Sequence, residues 1–311
     1  MWRALLKNER ILITGASGFI GTHLTKYLLE KNYELELTFC RNKINKEFKK
    51  HTNQIMLDLK REEDFKNFPK NIKAVFHLAN YAPDDDSYDS FRKTLNINSF
   101  GTLKLLEKCC NSGVQKFINS SSISVYGSCR KGKISERHLP KPDSYYGISK
   151  LMGELFCERY NNLSKLSIIS LRYSSVYGTG QKPNTVLPLF INNALKNKKI
   201  VIHGKGIKIQ DFVYVNDVVE ANYLALLSNE SGSFNIASGK GTNIVSLANL
   251  ITGIFSSGKS KVLYNNKRQG DNTNYYFDIS KAKKKLHYKI RYPIKKGLIN
   301  YKKNLSSNNT H

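Results

Sequence analysis

Short apolar runs alternate with amphipathic segments along the first half of the chain. Apolar runs of this length are typical of parallel strands buried on both faces, and the segments between them have the 3.6-residue period of helices. This alternation predicts an α/β fold with a Rossmann-type doubly wound parallel sheet. We predict strands at residues 11–14, 35–39, 74–78, 116–119 and 167–171, with helices that include 22–30, 102–110 and 150–160.

The pattern changes after about Gly178, where the elements become shorter and more mixed. Helical periodicity covers residues 187–196 and 218–227, and strand-like runs occur at 199–203 and 212–215. We therefore expect a dinucleotide-binding Rossmann domain at 1–177. A smaller C-terminal α/β substrate-binding lobe is expected at 178–311, interleaved with the last strands of the sheet near 199–236.

The composition excludes several classes of protein. The 311 residues include 50 Lys and Arg against 24 Asp and Glu, a net charge of +26. The lysines are spread along the chain without an aromatic-interleaved basic stripe, so nucleic-acid binding is not expected as the main role. No run approaches the roughly 18 apolar residues that span a membrane, and no signal peptide is recognisable. The cysteines lack metal-ligand spacing. We expect a cytoplasmic protein without a metal.

A glycine-rich turn follows the first predicted strand and opens the first predicted helix. Gly15 can turn the chain tightly, Gly18 lets the backbone approach a pyrophosphate, and Gly21 lets the helix pack against the strand. The helix N-terminus adds free N–H groups and the positive end of its dipole. This context predicts a dinucleotide site, whose turn also contains Ser17, Phe19 and Ile20.

Tyr146 and Lys150 are four residues apart on a predicted helix, so both side chains project from one face. A phenol with a pKa of about 10 needs roughly 4 kcal/mol of differential stabilisation to ionise near pH 7, which an ammonium and a nicotinium ring can supply together. Ser122 follows the strand at 116–119 and could bridge the tyrosine and a reacting hydroxyl. A Tyr-x-x-x-Lys pattern alone is common by chance, but this context favours a catalytic site.

These motifs together resemble the extended short-chain dehydrogenase/reductase superfamily, in its nucleotide-sugar epimerase/dehydratase branch. The resemblance covers nearly the whole chain and runs through residues 14–21, 58–59, 77–79, 98–102, 120–127, 146–150, 171–172, 176–178, 211–215, 217 and 268–271. It implies NAD or NADP as the cofactor and a homodimer. It also implies that Ser122, Tyr146 and Lys150 form the catalytic triad. The further cofactor-binding residues that it implies are Asp58, Leu59, Leu78, Ala79, Asn80, Asn98 and Ser174.

Two departures from the family pattern concern the reaction and the cofactor. The 4,6-dehydratases of the family carry an acid pair after the catalytic hydroxyl, where this chain has Ile123 and Ser124, so a dehydratase is not expected. The second predicted strand ends without the acidic residue that accepts ribose hydroxyls in NAD-binding members. Arg41 stands nearby and could hold a 2′-phosphate or be a solvated loop cation, which leaves NAD and NADP both open.

A third departure concerns the substrate. Ser175 replaces an asparagine and Gln210 an arginine that normally touch the nucleotide diphosphate, and Arg268 remains as the candidate diphosphate clamp. With Ser122, these are the predicted substrate-binding residues. The leading hypothesis is a nucleoside-diphosphate-sugar epimerase that acts at C4 through a transient keto intermediate. The alternatives are an NADPH-dependent nucleotide-sugar 4-ketoreductase and a catalytically inactive dinucleotide-sensing regulator.

Overall fold

The structure is a computed structural model, and it describes residues 9–40, 42–83, 85, 87–128, 131–265 and 274–308. The strands in these ranges are β1 (Arg10–Thr14), β2 (Glu34–Phe39), β3 (Asn53–Met56), β4 (Ile72–His77), β5 (Lys116–Ser122), β6 (Lys131–Ile134), β7 (Ser167–Tyr173), β8 (Ser175–Tyr177), β9 (Ile200–His203), β10 (Ile209–Gln210), β11 (Phe212–Tyr214), β12 (Gly232–Ile236), β13 (Thr242–Asn243), β14 (Val262–Asn265) and β15 (Asn274–Phe277). The helices are α1 (Phe19–Leu29), α2 (Tyr88–Thr94), α3 (Gly101–Asn111), α4 (Tyr145–Leu163), α5 (Val186–Leu195), α6 (Val215–Leu227), α7 (Ile244–Phe255), α8 (Ser280–Leu286) and α9 (Ile294–Asn308).

Seven parallel strands form the large sheet, in the order β12-β7-β5-β4-β1-β2-β3. Helices cover both faces of its central strands, so the side chains of these strands are buried, and Ile11, Leu12 and Ile13 of β1 are fully buried. The predicted fold class, a Rossmann-type doubly wound parallel sheet, is confirmed. The five predicted strands correspond to β1, β2, β4, β5 and β7, and β3 and β12 at the two edges of the sheet were not predicted.

The order of the strands reverses at β1, which pairs with β2 on one side and β4 on the other. Chain connections leave in opposite directions at such a point and open a crevice at the carboxyl ends of the strands, where α/β proteins bind ligands. Gly15 and Leu78 directly follow the carboxyl ends of β1 and β4. The topology therefore puts the predicted dinucleotide residues at this crevice.

The described residues also form three smaller sheets, built from the chain after β7 together with β6. β8 pairs with β11, β9 pairs with β14, and β13, β10, β15 and β6 form a four-stranded sheet. Among the described strands between 199 and 236, β12 joins the large sheet, whereas β9, β10 and β11 do not. No helix of the described ranges is long and apolar enough to cross a membrane.

Candidate active site

A cleft of about 600 Å³ opens at the carboxyl ends of the large sheet, over the switch point between β1 and β4. It brings the glycine turn, the end of β4 and the first two turns of α4 to one place. Fifteen of the residues predicted to bind cofactor or substrate line it: Gly15, Ser17, Gly18, Phe19, Ile20, Gly21, Asp58, Leu59, Leu78, Ala79, Asn80, Ser122, Tyr146, Lys150 and Ser174.

The glycine turn forms a cradle that leaves no room for side chains. Gly15 has a φ of +70°, and a Cβ there would lie 2.6 Å from the backbone nitrogen of Ala79. A Cβ on Gly21 would lie 2.2 Å from the carbonyl oxygen of Gly15, whose oxygen also accepts the Gly18 amide at 2.9 Å. The helix α1 begins directly after Gly18. This backbone surface at a helix N-terminus fits the pyrophosphate of a dinucleotide.

The helix α4 presents Tyr146 and Lys150 to the cleft. It begins after Ser144, whose hydroxyl accepts a hydrogen bond from the Gly147 amide at 3.1 Å. A Cβ at Gly147 would lie 2.5 Å from the Ser124 carbonyl oxygen, so the glycine lets α4 pack closely on the turn after Ser122. The Nζ of Lys150 donates to the Ser120 carbonyl at 2.8 Å and lies 5.7 Å from the centroid of the Tyr146 ring.

Desolvation in the cleft shifts the pKa values of Tyr146 and Lys150 in opposite directions. It raises the pKa of Tyr146 to about 12, and a hydrogen bond with Ser122 works against this rise. It lowers the pKa of Lys150 to about 8, and the carboxylate of Glu154 works against that fall. The neutral forms of both side chains are thus favoured by burial. An ionised Tyr146 near neutral pH requires positive charge beside it, from Lys150 and from a bound cofactor.

The family model called the NAD dependent epimerase/dehydratase family matches residues 11–237. The chain belongs to this family. Three solved structures illustrate its relatives. A UDP-glucose 4-epimerase from Thermotoga maritima, solved with UDP-glucose, is 31% identical with a TM-score of 0.89, and the match covers 96% of this chain and 99% of that one.

The second is a UDP-N-acetylglucosamine 4-epimerase from Methanobrevibacter ruminantium, in complex with UDP-N-acetylmuramic acid. It is 29% identical with a TM-score of 0.88, over 97% of this chain and 99% of that one. The third is a UDP-glucuronic acid 4-epimerase from Bacillus cereus, in complex with UDP-glucuronic acid and NAD. It is 30% identical with a TM-score of 0.83, over 95% of this chain and 99% of that one.

Three predicted residues of this family member make internal contacts and do not line the cleft. The Asn98 side chain accepts from the Tyr81 amide at 2.7 Å and donates to the Tyr81 carbonyl at 2.8 Å. Asn98 thereby holds the backbone that follows Asn80 rather than facing the cleft itself. The side chain of Gln210 donates to the Ser175 hydroxyl. Arg41 and Arg268 lie outside the described residues.

The cleft of this epimerase/dehydratase family member also contains residues that the sequence analysis did not single out. Nine of these thirteen residues are next to a predicted site residue in the sequence, so a rule that includes both neighbours of each predicted residue would have found those nine. Lys182 is not next to any predicted site residue. It lies in the loop after β8, and only the folded course of that loop brings it to the cleft. The additional lining residues are Thr38, Phe39, Cys40, Asn42, Leu57, Lys60, Tyr81, Ile97, Ser120, Ser121, Tyr173, Val176 and Lys182.

The described residues hold no cluster of three or more His, Cys, Asp or Glu side chains that could bind a metal ion. The turn after Ser122 carries Ile123 and Ser124, and the Ser122 hydroxyl donates to the Ser124 hydroxyl at 3.0 Å. A hydroxyl therefore stands where a dehydratase of this family would need an acid. The polar groups next to Tyr146 suit the transfer of one hydroxyl proton.

Proposed function

We propose that this protein is an NAD-dependent nucleotide-sugar 4-epimerase. One observation carries the proposal: Ser122, Tyr146 and Lys150 converge in the same cleft as the glycine cradle. A sugar hydroxyl bound against Tyr146 would then lie within reach of a dinucleotide held on the cradle. The family membership and the UDP-sugar 4-epimerases among the similar structures support this assignment.

In the proposed reaction, Tyr146 accepts the proton of the sugar C4 hydroxyl and later returns it. The Ser122 hydroxyl hydrogen-bonds to the same sugar oxygen and holds it against the phenol. Lys150 stabilises the phenolate electrostatically, anchored by its hydrogen bond to the Ser120 carbonyl. The bound nicotinamide supplies a reversible hydride acceptor at the sugar carbon. Because that carbon loses and regains hydride, the reaction has no net redox change.

We propose NAD as the cofactor and UDP sugars as the first substrates to test. NADP stays the alternative cofactor, because β2 ends without an acidic residue. In that alternative, Arg41 holds the 2′-phosphate. Ser175, Gln210 and Arg268 are proposed to contact the nucleotide diphosphate. The division into a dinucleotide-binding part at 1–177 and a substrate-binding lobe at 178–311 also stays a prediction, as does the cytoplasmic location.

The test is to incubate the protein and NAD with UDP-glucose, UDP-N-acetylglucosamine and UDP-glucuronic acid, and to follow each by proton NMR. We expect interconversion of at least one sugar with its C4 epimer. A substrate deuterated at C4 should keep its label at C4 of the product, because the hydride leaves and returns without meeting solvent.

A 4-ketoreductase would give a different result in the same experiment. It would oxidise NADPH stoichiometrically in the presence of a 4-keto sugar nucleotide and would form no epimer from any of the three sugars. That outcome would overturn the epimerase assignment. Absence of both reactions, together with retained dinucleotide binding, would favour the inactive sensing protein.

We also propose a homodimer, formed through the outward faces of α3 and α4, which pack side by side. Large apolar side chains are exposed there: Phe100 is 47% exposed, Ile148 36% and Leu155 55%. Ile148 and Leu155 are seven residues apart, so both lie on one face of α4. Exposed apolar patches of this kind are typical of subunit interfaces.

Leu155→Glu is expected to convert the dimer to a monomer, because the new carboxylate would be buried in an apolar interface without a partner. The matched control is Leu195→Glu, a residue 48% exposed at the end of α5, outside the proposed interface. Light scattering at several concentrations measures both masses. A wild-type mass of one chain at every concentration would contradict the proposal.

A further inference from the structure

A buried polar cluster lies behind the cleft, where α4 packs against the sheet. Its centre is Glu154, one helical turn after Lys150 and 6% exposed. Arg172 of β7 donates to both carboxylate oxygens, at 2.9 Å from Nε to Oε1 and 2.6 Å from Nη2 to Oε2. The two side chains are only 7% and 6% exposed, so they form a bidentate ion pair inside the protein.

The carboxylate of Glu154 also contacts two strands of the sheet through hydroxyl groups. The Ser121 hydroxyl of β5 donates to Oε1, and the Ser233 hydroxyl of β12 donates to Oε2 at 3.2 Å. Ser121 directly precedes Ser122 in the chain. The position of the proposed catalytic hydroxyl is therefore linked to Glu154 through one residue of backbone.

The guanidinium of Arg172 extends the cluster to the other side of Ser122. Its Nη1 donates to the Tyr126 hydroxyl at 2.7 Å, and that hydroxyl donates to the Asn235 side-chain oxygen at 2.8 Å. Tyr126 ends the turn Ile123–Tyr126, which begins immediately after Ser122. The ion pair thus fixes the strand before Ser122 and the turn after it.

Stability alone does not account for an ion pair at this place. Removing two charges from water costs several kcal/mol per ion, and replacement of buried pairs by apolar side chains is often neutral or stabilising. The pair has a second effect here, because its carboxylate stands one helical turn after Lys150 and acts electrostatically on that ammonium, which is also buried. An opposite charge nearby favours the charged form of that ammonium.

We propose that Glu154 is a positioning residue whose carboxylate keeps Lys150 charged and holds Ser122 in place, with Arg172 fixing the carboxylate. This inference rests on the proposed function, because it assigns Glu154 a part in that reaction through Lys150 and Ser122. Glu154 itself does not line the cleft, and it reaches the site through Ser121, which does.

The surroundings of Lys150 leave Glu154 as its anionic partner among the described residues. Burial lowers the pKa of His77 to about 3, so that ring is neutral near pH 7. Burial raises the pKa of Cys157 and of Tyr173, so both are also neutral. The titratable and charged groups around Lys150 are Tyr146, Glu154 and Cys157 on α4, His77 on β4, and Arg172 and Tyr173 on β7, while β5 contributes the Ser120 carbonyl.

The test measures the ionisation of Lys150 directly, without substrate. The protein is labelled with trace acetic anhydride across pH values from about 6 to 10, and mass spectrometry follows acetylation of Lys150, whose unprotonated fraction reacts. In Glu154→Gln the midpoint of this titration is expected to fall by about one pH unit. Glu158→Gln removes an exposed carboxylate one turn further along α4 and should leave the midpoint unchanged.

Two further variants separate charge from folding. Glu154→Gln leaves Arg172 as a lone buried cation, whereas Glu154→Gln/Arg172→Gln removes both charges and should show a smaller fall of the midpoint in the same direction. Glu154→Asp keeps the carboxylate, so its midpoint should lie close to that of wild type. If the midpoint stays within about 0.3 units of wild type in both glutamine variants, against the unit or more expected of a nearby charge, the proposal is overturned.

Activity provides the second measurement and separates this inference from the proposed function. Loss of the carboxylate favours neutral Lys150, so the ammonium disappears at lower pH and the alkaline limb of kcat/KM should move down by the same shift. If no sugar nucleotide is epimerised but the labelling midpoint falls, the charge role of Glu154 stands and the proposed reaction does not. If wild type epimerises a sugar nucleotide but Glu154→Gln leaves the labelling midpoint unchanged, the proposed reaction stands and the charge role of Glu154 does not.

Discussion

Tyr146→Phe is expected to lower kcat/KM for the sugar nucleotide by about 10²–10⁴-fold, the usual cost of losing a general base. The substitution removes the hydroxyl that accepts the substrate proton but keeps the ring beside Lys150. Binding of NAD should change little, because the glycine cradle is untouched. Steady-state epimerisation assays measure the first effect, and calorimetric titration with NAD measures the second.

Tyr145→Phe is the matched control, since it makes the same chemical change one residue earlier on α4. The Tyr145 ring packs against Phe91, with the ring centroids 4.3 Å apart, and a phenylalanine keeps that contact. We expect near wild-type activity from this variant. If Tyr146→Phe kept more than about a tenth of wild-type kcat/KM, Tyr146 would not be the general base.

Gly21→Ala is expected to weaken NAD binding by at least about tenfold and to destabilise the protein by about 1–3 kcal/mol. The added Cβ would lie 2.2 Å from the Gly15 carbonyl oxygen and 2.8 Å from the Ala16 Cα. Both are backbone atoms, so relief of the clash must move α1 away from the phosphate-binding turn. Urea unfolding and NAD titration measure the two effects.

Gly253→Ala provides a control of opposite sign. Gly253 lies in α7, is exposed, and has no atom within 4 Å of where its Cβ would be. Alanine there should stabilise the protein by roughly 0.5–1 kcal/mol, because it restricts the unfolded chain without a clash. Unchanged NAD affinity in Gly21→Ala would mean that the cradle does not hold the dinucleotide.

The sequence predicted the parts of the fold that rest on strong local signals. The central strands are buried on both faces and therefore read as apolar runs, which is why β1, β2, β4, β5 and β7 were found. The edge strands β3 and β12 carry polar residues, such as Asn53 and Ser233, because an edge is less covered. Their pairing depends on neighbours far away in the chain, so no local pattern predicts it.

The same limit applied to the residues around the cleft. Lys182 reaches it through a loop, and no sequence spacing marks that path. The expected contact of Ser175 and Gln210 with substrate stays a prediction, and the hydrogen bond that joins their two side chains in the structure had no signal in the sequence. Glu154 was not singled out, because a glutamate within a helical pattern resembles a solvated residue until its packing against Arg172 is seen.

By itself, the sequence determined the doubly wound sheet, the dinucleotide cradle and the Ser122, Tyr146 and Lys150 constellation, because each depends on spacing within one strand, turn or helix. Only the tertiary structure decided the ionisation of those groups. Desolvation raises the pKa of Tyr146 and lowers that of Lys150, and the carboxylate of Glu154, held by Arg172 of β7, offsets part of the second effect. Burial and charge pairing arise between elements distant in sequence, so they exist only once the chain has folded.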